Sequence, residues 1–138
     1  MRGVHVPRSD REIFRTRLEI TPEDIDANGH VNNVVYLRWI QDVATAHWSA
    51  RVSETERKPW SWVALRHEID YRRALKLGDG VEVCTWVGDV EGARFARFVL
   101  IEGPSGPAAQ SRTDWCLVDA ATMKPARVPP ALVQPFVL

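Results

Sequence analysis

The chain has 138 residues, enough for one domain with a real core and too few for two of ordinary size. Apolar residues make up 45% and charged residues 26%, and eighteen basic side chains balance eighteen acidic ones. A net charge of zero argues against non-specific nucleic-acid binding and a polybasic membrane anchor, and no apolar run nears the ~20 residues of a membrane span.

Residues 1–10 show no hydrophobic signal core and no period, and read as a flexible arm. Strand periodicity starts at Glu12. Phe14, Thr16, Leu18 and Ile20 share one face, and Arg15, Arg17 and Glu19 share the other. Thr21 to Gly29 is a loop rich in Asp, Pro, Asn and Gly. At Asn32 the period changes. Tyr36, Ile40, Val43, Ala44 and His47 fall at helical spacing, which predicts a helix from Asn33 to Arg51, capped by Asn32 or Asn33.

After a polar connection, Trp60 to Arg73 reads as a strand, and Gly78-Asp79-Gly80 turns the chain. Val81–Val90, Ala93–Glu102 and Gln110–Asp119 read as three more strands, joined at Glu91-Gly92 and Gly103–Pro107. The tail after Pro125 reads as irregular. Short links favour antiparallel pairing, so the class is α+β: one amphipathic helix on five antiparallel strands. Phe95–Ile101 and Trp115–Val118 are apolar on both faces. One helix covers one face, so a second copy is expected to cover the other.

Candidate chemistry gathers in Asp24-Ile25-Asp26-Ala27-Asn28-Gly29-His30-Val31-Asn32-Asn33, just ahead of the helix. The first amides of a helix lack intrahelical partners and suit a polarised carbonyl oxygen. A carboxylate beside them can act on that carbonyl as nucleophile or general base. The same composition also fits a purely structural turn, because Asp, Asn and Gly tolerate left-handed backbone and cap helices. His30 fits either an active-site role or a loop contact to backbone.

Asp26 to Tyr36, as Asp-x-Asn-x-His-Val-Asn-Asn-x-x-Tyr, resembles the active-site run of hotdog-fold thioesterases. The relevant groups are the 4-hydroxybenzoyl-CoA thioesterase-like enzymes and, more closely, the plant acyl-carrier-protein thioesterases. Asp70-Tyr71-Arg72-Arg73 resembles the Tyr-Arg-Arg strand of the latter, and Leu77-Gly78-Asp79 is similar to a turn they carry. The resemblance implies a hotdog fold, an antiparallel five-stranded sheet wrapped around one long helix. It implies hydrolysis of acyl-CoA or acyl-ACP thioesters, with Asp26 as the catalytic carboxylate, Asn28 and His30 as its polar partners, and the amide near Asn33 polarising the carbonyl. Tyr36 falls among the substrate-binding residues, with Arg72 and Arg73. The plant-type enzymes continue Tyr-Arg-Arg with Glu-Cys, whereas this chain has Ala74-Leu75, which excludes a cysteine nucleophile there. No cofactor or metal is required. A homodimer or homotetramer in the cytoplasm is expected.

Other residues keep plainer readings. Arg66, Arg72 and Arg73 suit phosphate contact, or lie on a solvated strand face. His47 reads as a core histidine, and His67 as partly buried on the face of Val63, Leu65 and Ile69. Cys84 and Cys116 read as inert thiols in apolar strands. Trp60 and Trp62 are candidates to line an acyl pocket. Two other functions stay open: a hotdog hydratase or dehydratase, whose usual His-Phe-Pro-Gly phrase is missing, and a non-catalytic acyl-CoA-binding module.

Overall fold

Asn32 sits in extended backbone, and its side-chain oxygen accepts the Val34 N–H at 3.0 Å. That satisfies one orphan donor and starts helix α1, Asn33–Arg51, where the change of period predicts it. The helix buries Val35, Tyr36, Trp39, Ile40, Val43, Ala44 and His47, at three- and four-residue spacing. Each large apolar side chain so buried contributes ~1.5–3 kcal/mol. The computed structural model describes residues 3–138. A second, one-turn helix that the sequence reading passed over, α2 (Glu54–Arg57), is capped by Ser53.

Strands β1 (Phe14–Glu19), β2 (Trp60–Tyr71), β3 (Gly80–Glu91), β4 (Arg94–Gly103) and β5 (Gly106–Asp119) form one sheet in the order β1-β3-β4-β5-β2. Every neighbour is antiparallel. β1 and β2 are the two edges, and the chain between them carries α1 across the sheet. Val81, Val83, Val99, Ile101 and Ala109 pack against Val35, Trp39, Ile40 and Val43. A second cluster gathers Val52, Val87, Phe95, Leu117, Val128, Leu132 and Phe136 near the other end of the helix.

Three local expectations are corrected. β2 ends at Tyr71, and a bulge between Ala64 and Arg66 reverses its faces. Val63 pairs with Cys116 and His67 with Thr113, so His67 shares its face with Ile69 but not with Val63. The tail is organised: Pro130–Leu132 and Gln134–Phe136 form 3-10 turns, and Val137 bridges to Arg11. Phe136 is fully sealed.

The arm is also engaged from Gly3 onward; Met1 and Arg2 lie outside the described residues. The His5 N–H donates to Gln110 Oε1 at 2.8 Å, and Gln110 Nε2 donates to the Gly3 carbonyl at 2.9 Å. The His5 ring meets Phe98 edge-on, and Arg8 pairs with Asp10 and Asp89. The sheet's outer face, where Trp86 stacks on Phe98, is thus partly covered by the chain itself rather than wholly left for a second copy.

Candidate active site

The loop before α1 is tied at two levels. Asp24, 3% exposed, accepts the Thr21 N–H at 2.9 Å and Arg38 Nη2 at 2.7 Å, and its carbonyl accepts the Asn32 N–H at 2.8 Å. Burial pushes its pKa up, but the Thr21 amide and Arg38 outweigh this and hold the carboxyl below its ordinary value. Beyond it, Ile25 and Val31 bridge, and the Asp26 N–H donates to the His30 carbonyl at 2.8 Å. Gly29 turns the chain at φ +78°, which favours glycine, and its N–H closes on the Asp26 carbonyl at 3.0 Å.

Inside this turn the half-buried Asp26 carboxylate is fixed by one oxygen. Its Oδ1 accepts the Asn28 N–H at 2.9 Å and the His30 N–H at 3.3 Å. Oδ2 has no hydrogen-bond partner among the described residues.

The helix start leaves a donor unused. Asp24 takes the Asn32 amide, and Asn32 takes those of Val34 through its side chain and Val35 through its carbonyl. Among the described residues no acceptor meets the Asn33 N–H. The Tyr71 hydroxyl donates to the Asn33 carbonyl at 3.3 Å, which brings the end of β2 to the start of α1. The Arg72 and Arg73 amides both donate to the Ala108 carbonyl, at 2.8 and 3.1 Å, and the Val31 N–H donates to the Leu75 carbonyl at 2.8 Å. The turn, the helix start and the Tyr71–Arg73 segment therefore meet at one end of the molecule.

Asp26, Asn28, His30 and Asn33 do come together, with a difference from the sequence expectation. The backbone amides of Asn28 and His30, not their exposed side chains, hold Asp26. Tyr36 is 3% exposed and packs edge-on to Tyr71 at 5.3 Å and Trp39 at 5.5 Å, beneath the site. Burial raises its pKa. Arg73 is exposed and Arg72 half-buried, while Arg66 pairs with Glu68 farther back along β2. The Asp24–Arg38 clamp and the half-exposed Tyr71 were not read from the sequence; Tyr71 stood in the Tyr-Arg-Arg match and was the available signal.

The remaining histidines and cysteines lie elsewhere. His67 Nδ1 meets Thr113 Oγ1 at 2.8 Å, and burial lowers its pKa. Cys84 and Cys116 are buried and free, and burial raises the Cys84 thiol. Trp60 and Trp62 border a cavity of about 510 Å³, flanked by Gln41 to Trp48 of α1. At 1.5 Å per residue, that stretch lies roughly 12–22 Å along the axis from Asn33.

Residues 20–136 match the Thioesterase-like superfamily. The structure is similar to that of a thioesterase from Thermus thermophilus complexed with coenzyme A and Zn, at TM-score 0.80 and 23% identity over 91% of this chain and 97% of that one. It is similar to a hypothetical protein from Staphylococcus aureus in complex with CoA, at TM-score 0.80 and 21% identity over 94% and 85%. An acyl-ACP thioesterase from Bacteroides thetaiotaomicron matches at TM-score 0.75 and 22% identity over 84% and 49%. No curated protein matches. At these identities the likeness is one of fold: the five antiparallel strands and long helix are the hotdog architecture.

Proposed function

The chain belongs to the Thioesterase-like superfamily, and from that premise we propose that it hydrolyses acyl thioesters of coenzyme A or an acyl carrier protein at Asp26. The observation that carries this is the pairing of a carboxylate held by one oxygen, its Oδ2 left over, with an unspoken-for N–H at the adjacent helix start. The thioester carbonyl oxygen accepts from Asn33 N–H, where the partial positive charge of the helix end offsets the developing oxyanion.

Asp26 Oδ2 then does one of two things. As nucleophile it attacks the carbonyl carbon, the C–S bond breaks, the thiolate leaves, and water hydrolyses the resulting anhydride. As general base it takes a proton from the water that attacks. Either way the thiolate departs without a strong acid, because a thiol's pKa is ~8.5. The exposed Asn28 and His30 side chains orient that water in this reading. Arg72 and Arg73 suit the carrier's phosphates, and Tyr71 offers the surface above the buried Tyr36. Thiol release across a panel of acyl-CoA and acyl-ACP thioesters tests the reading. Turnover of at least one is expected. Binding without turnover would make the chain an acyl-CoA-binding module, and hydration of an enoyl-CoA would make it a hydratase.

We infer an assembly of copies through β2. That strand runs twelve residues along an edge, with Val63 39% and Leu65 48% exposed. A long edge strand with exposed apolar side chains invites pairing. A second copy pairing there antiparallel sets the Trp60–Trp62 end of one strand beside the Tyr71 end of the other, as a homodimer or as half of a homotetramer. Sedimentation at the monomer mass of 15.7 kDa would contradict this. Among the described residues no helix is long and apolar enough to cross a membrane. Two free thiols suit a reducing compartment, and we place the protein in the cytoplasm; recovery in another cell fraction would count against that.

A further inference from the structure

The 510 Å³ cavity lies within the size range of small-molecule sites, and its chemistry is uneven. Its walls are aromatic. Trp48 meets Trp62 edge-on at 5.5 Å, Trp62 meets Phe95 at 6.1 Å, and Trp48 stacks on Phe136 at 6.3 Å. Asp42 lies at the exposed mouth. On the inner side, among these rings, is the guanidinium of Arg97, only 7% exposed.

Arg97 is a buried cation that meets no carboxylate among the described residues. Nη1 donates to His47 Nδ1 at 2.9 Å and to Thr85 Oγ1 at 3.1 Å. His47, with a pKa pushed down to about 4 by burial and then by Arg97, is neutral at pH 7. The nearest acid in this network, Glu12, stands beyond His47 and is shared with Arg51. Among the described residues Nε and Nη2 of Arg97 meet no acceptor, and Arg97 is one of the residues that line the cavity. The Nε–Nη2 edge is one of the two edges with which a guanidinium takes a carboxylate in two parallel bonds.

We propose that this cavity receives the acyl group of the substrate and selects acyl groups ending in a second carboxylate, monothioesters of dicarboxylic acids, through Arg97. It rests on the reading of the chain as an acyl-thioester enzyme. The apolar body of the acyl group lies between the rings, the distal carboxylate accepts from Nε and Nη2, and the thioester stays at the mouth. There the charge of Asp42 is solvated and screened and faces a neutral group. The separation of this cavity from Asn33 of its own chain means that the carboxylate reaching the thioester is Asp26 of a second copy paired along β2.

The test separates this proposal from hydrolysis. The mono-N-ethylamide of octanedioic acid and N-ethyl octanamide both mimic a thioester, cannot turn over, and differ in the distal carboxylate. Titrations followed by tryptophan fluorescence are expected to show the acidic amide binding at least tenfold more tightly to the wild type. Arg97→Gln is expected to bring the two within twofold, and Arg97→Lys to keep part of the preference. Equal affinities in the wild type, or a preference that survives Arg97→Gln, would overturn the proposal. Should Arg97→Gln not fold, Trp62→Ala decides: it is expected to weaken both amides, and unchanged binding would show that the ligand sits elsewhere. Loss of thioester hydrolysis with this selectivity intact would sink the catalytic reading and leave the cavity assignment standing.

Discussion

His47 is fully sealed between Phe14, stacked at 4.8 Å, and Phe136, edge-on at 4.8 Å. Because Arg97 donates to Nδ1, the ring proton is on Nε2, which donates to Glu12 Oε1 at 2.8 Å. Burial, then the charge of Arg97, lowers its pKa from 6.5 to about 4. Between those values the unfolded chain binds a proton that the folded chain refuses, so stability falls as pH drops through that window. At about 1.4 kcal/mol per pH unit the loss reaches about 3 kcal/mol by pH 4. Burial raises the Glu12 pKa, but Arg51 and His47 outweigh this and hold it below 4.5, which removes further stability at lower pH. Urea melts at pH 7 and pH 4.5 are expected to show the drop, and His47→Gln to flatten it. A wild type equally stable at both would contradict this account of the residue. The apolar stripe of the helix made His47 readable as a core residue. Its partners, 35 and 50 positions away, left no local trace. The turn around Asp26 was likewise legible as a loop ahead of the helix, but not that the Asn28 and His30 backbone amides meet its carboxylate. Loop φ/ψ, not residue identity, decides which group turns inward.

Elements were legible where a period ran unbroken. The helix from Asn33 to Arg51 and the two strands joined at Gly92 follow from spacing and turn chemistry, whereas β5 begins at Gly106, ahead of the predicted Gln110. They fail to show where one residue shifts the phase, as at the Ala64/Arg66 bulge, or where prolines hide a stripe. In the tail Val128, Leu132 and Phe136 recur every four residues and are all buried, yet Pro129, Pro130 and Pro135 made the segment read as irregular. The Glu12 N–H donates to the Phe136 carbonyl and the Leu138 N–H to the Asp10 carbonyl, so the tail and the approach to β1 hold each other. Phe136 also contacts Trp48 and lies under the Arg97 guanidinium at 5.6 Å. Phe136→Ala is therefore expected to cost about 3–5 kcal/mol, read as a lowered urea midpoint. A midpoint within error of wild type would show that the tail is not part of the core.

The whole molecule shares its architecture with thioesterases at 18–23% identity, and most of what it shares is the packing of one helix on one sheet. Such a scaffold admits several chemistries, so the reaction rests on what the fold sets at one end. There the crossover between edge strands β1 and β2 delivers a carboxylate turn into the start of α1, and the end of β2 returns to the same place through Tyr71. The alternation of the strands foretold the sheet. The order that brings β2 to an edge was not legible, because it depends on long-range pairing with β5. The most direct measurement of the central claim is kcat for the best thioester substrate in wild type and Asp26→Asn, with the melting temperature recorded alongside. The account predicts a fall of at least a hundredfold with the melting temperature nearly unchanged. Equal turnover in the two proteins would contradict it.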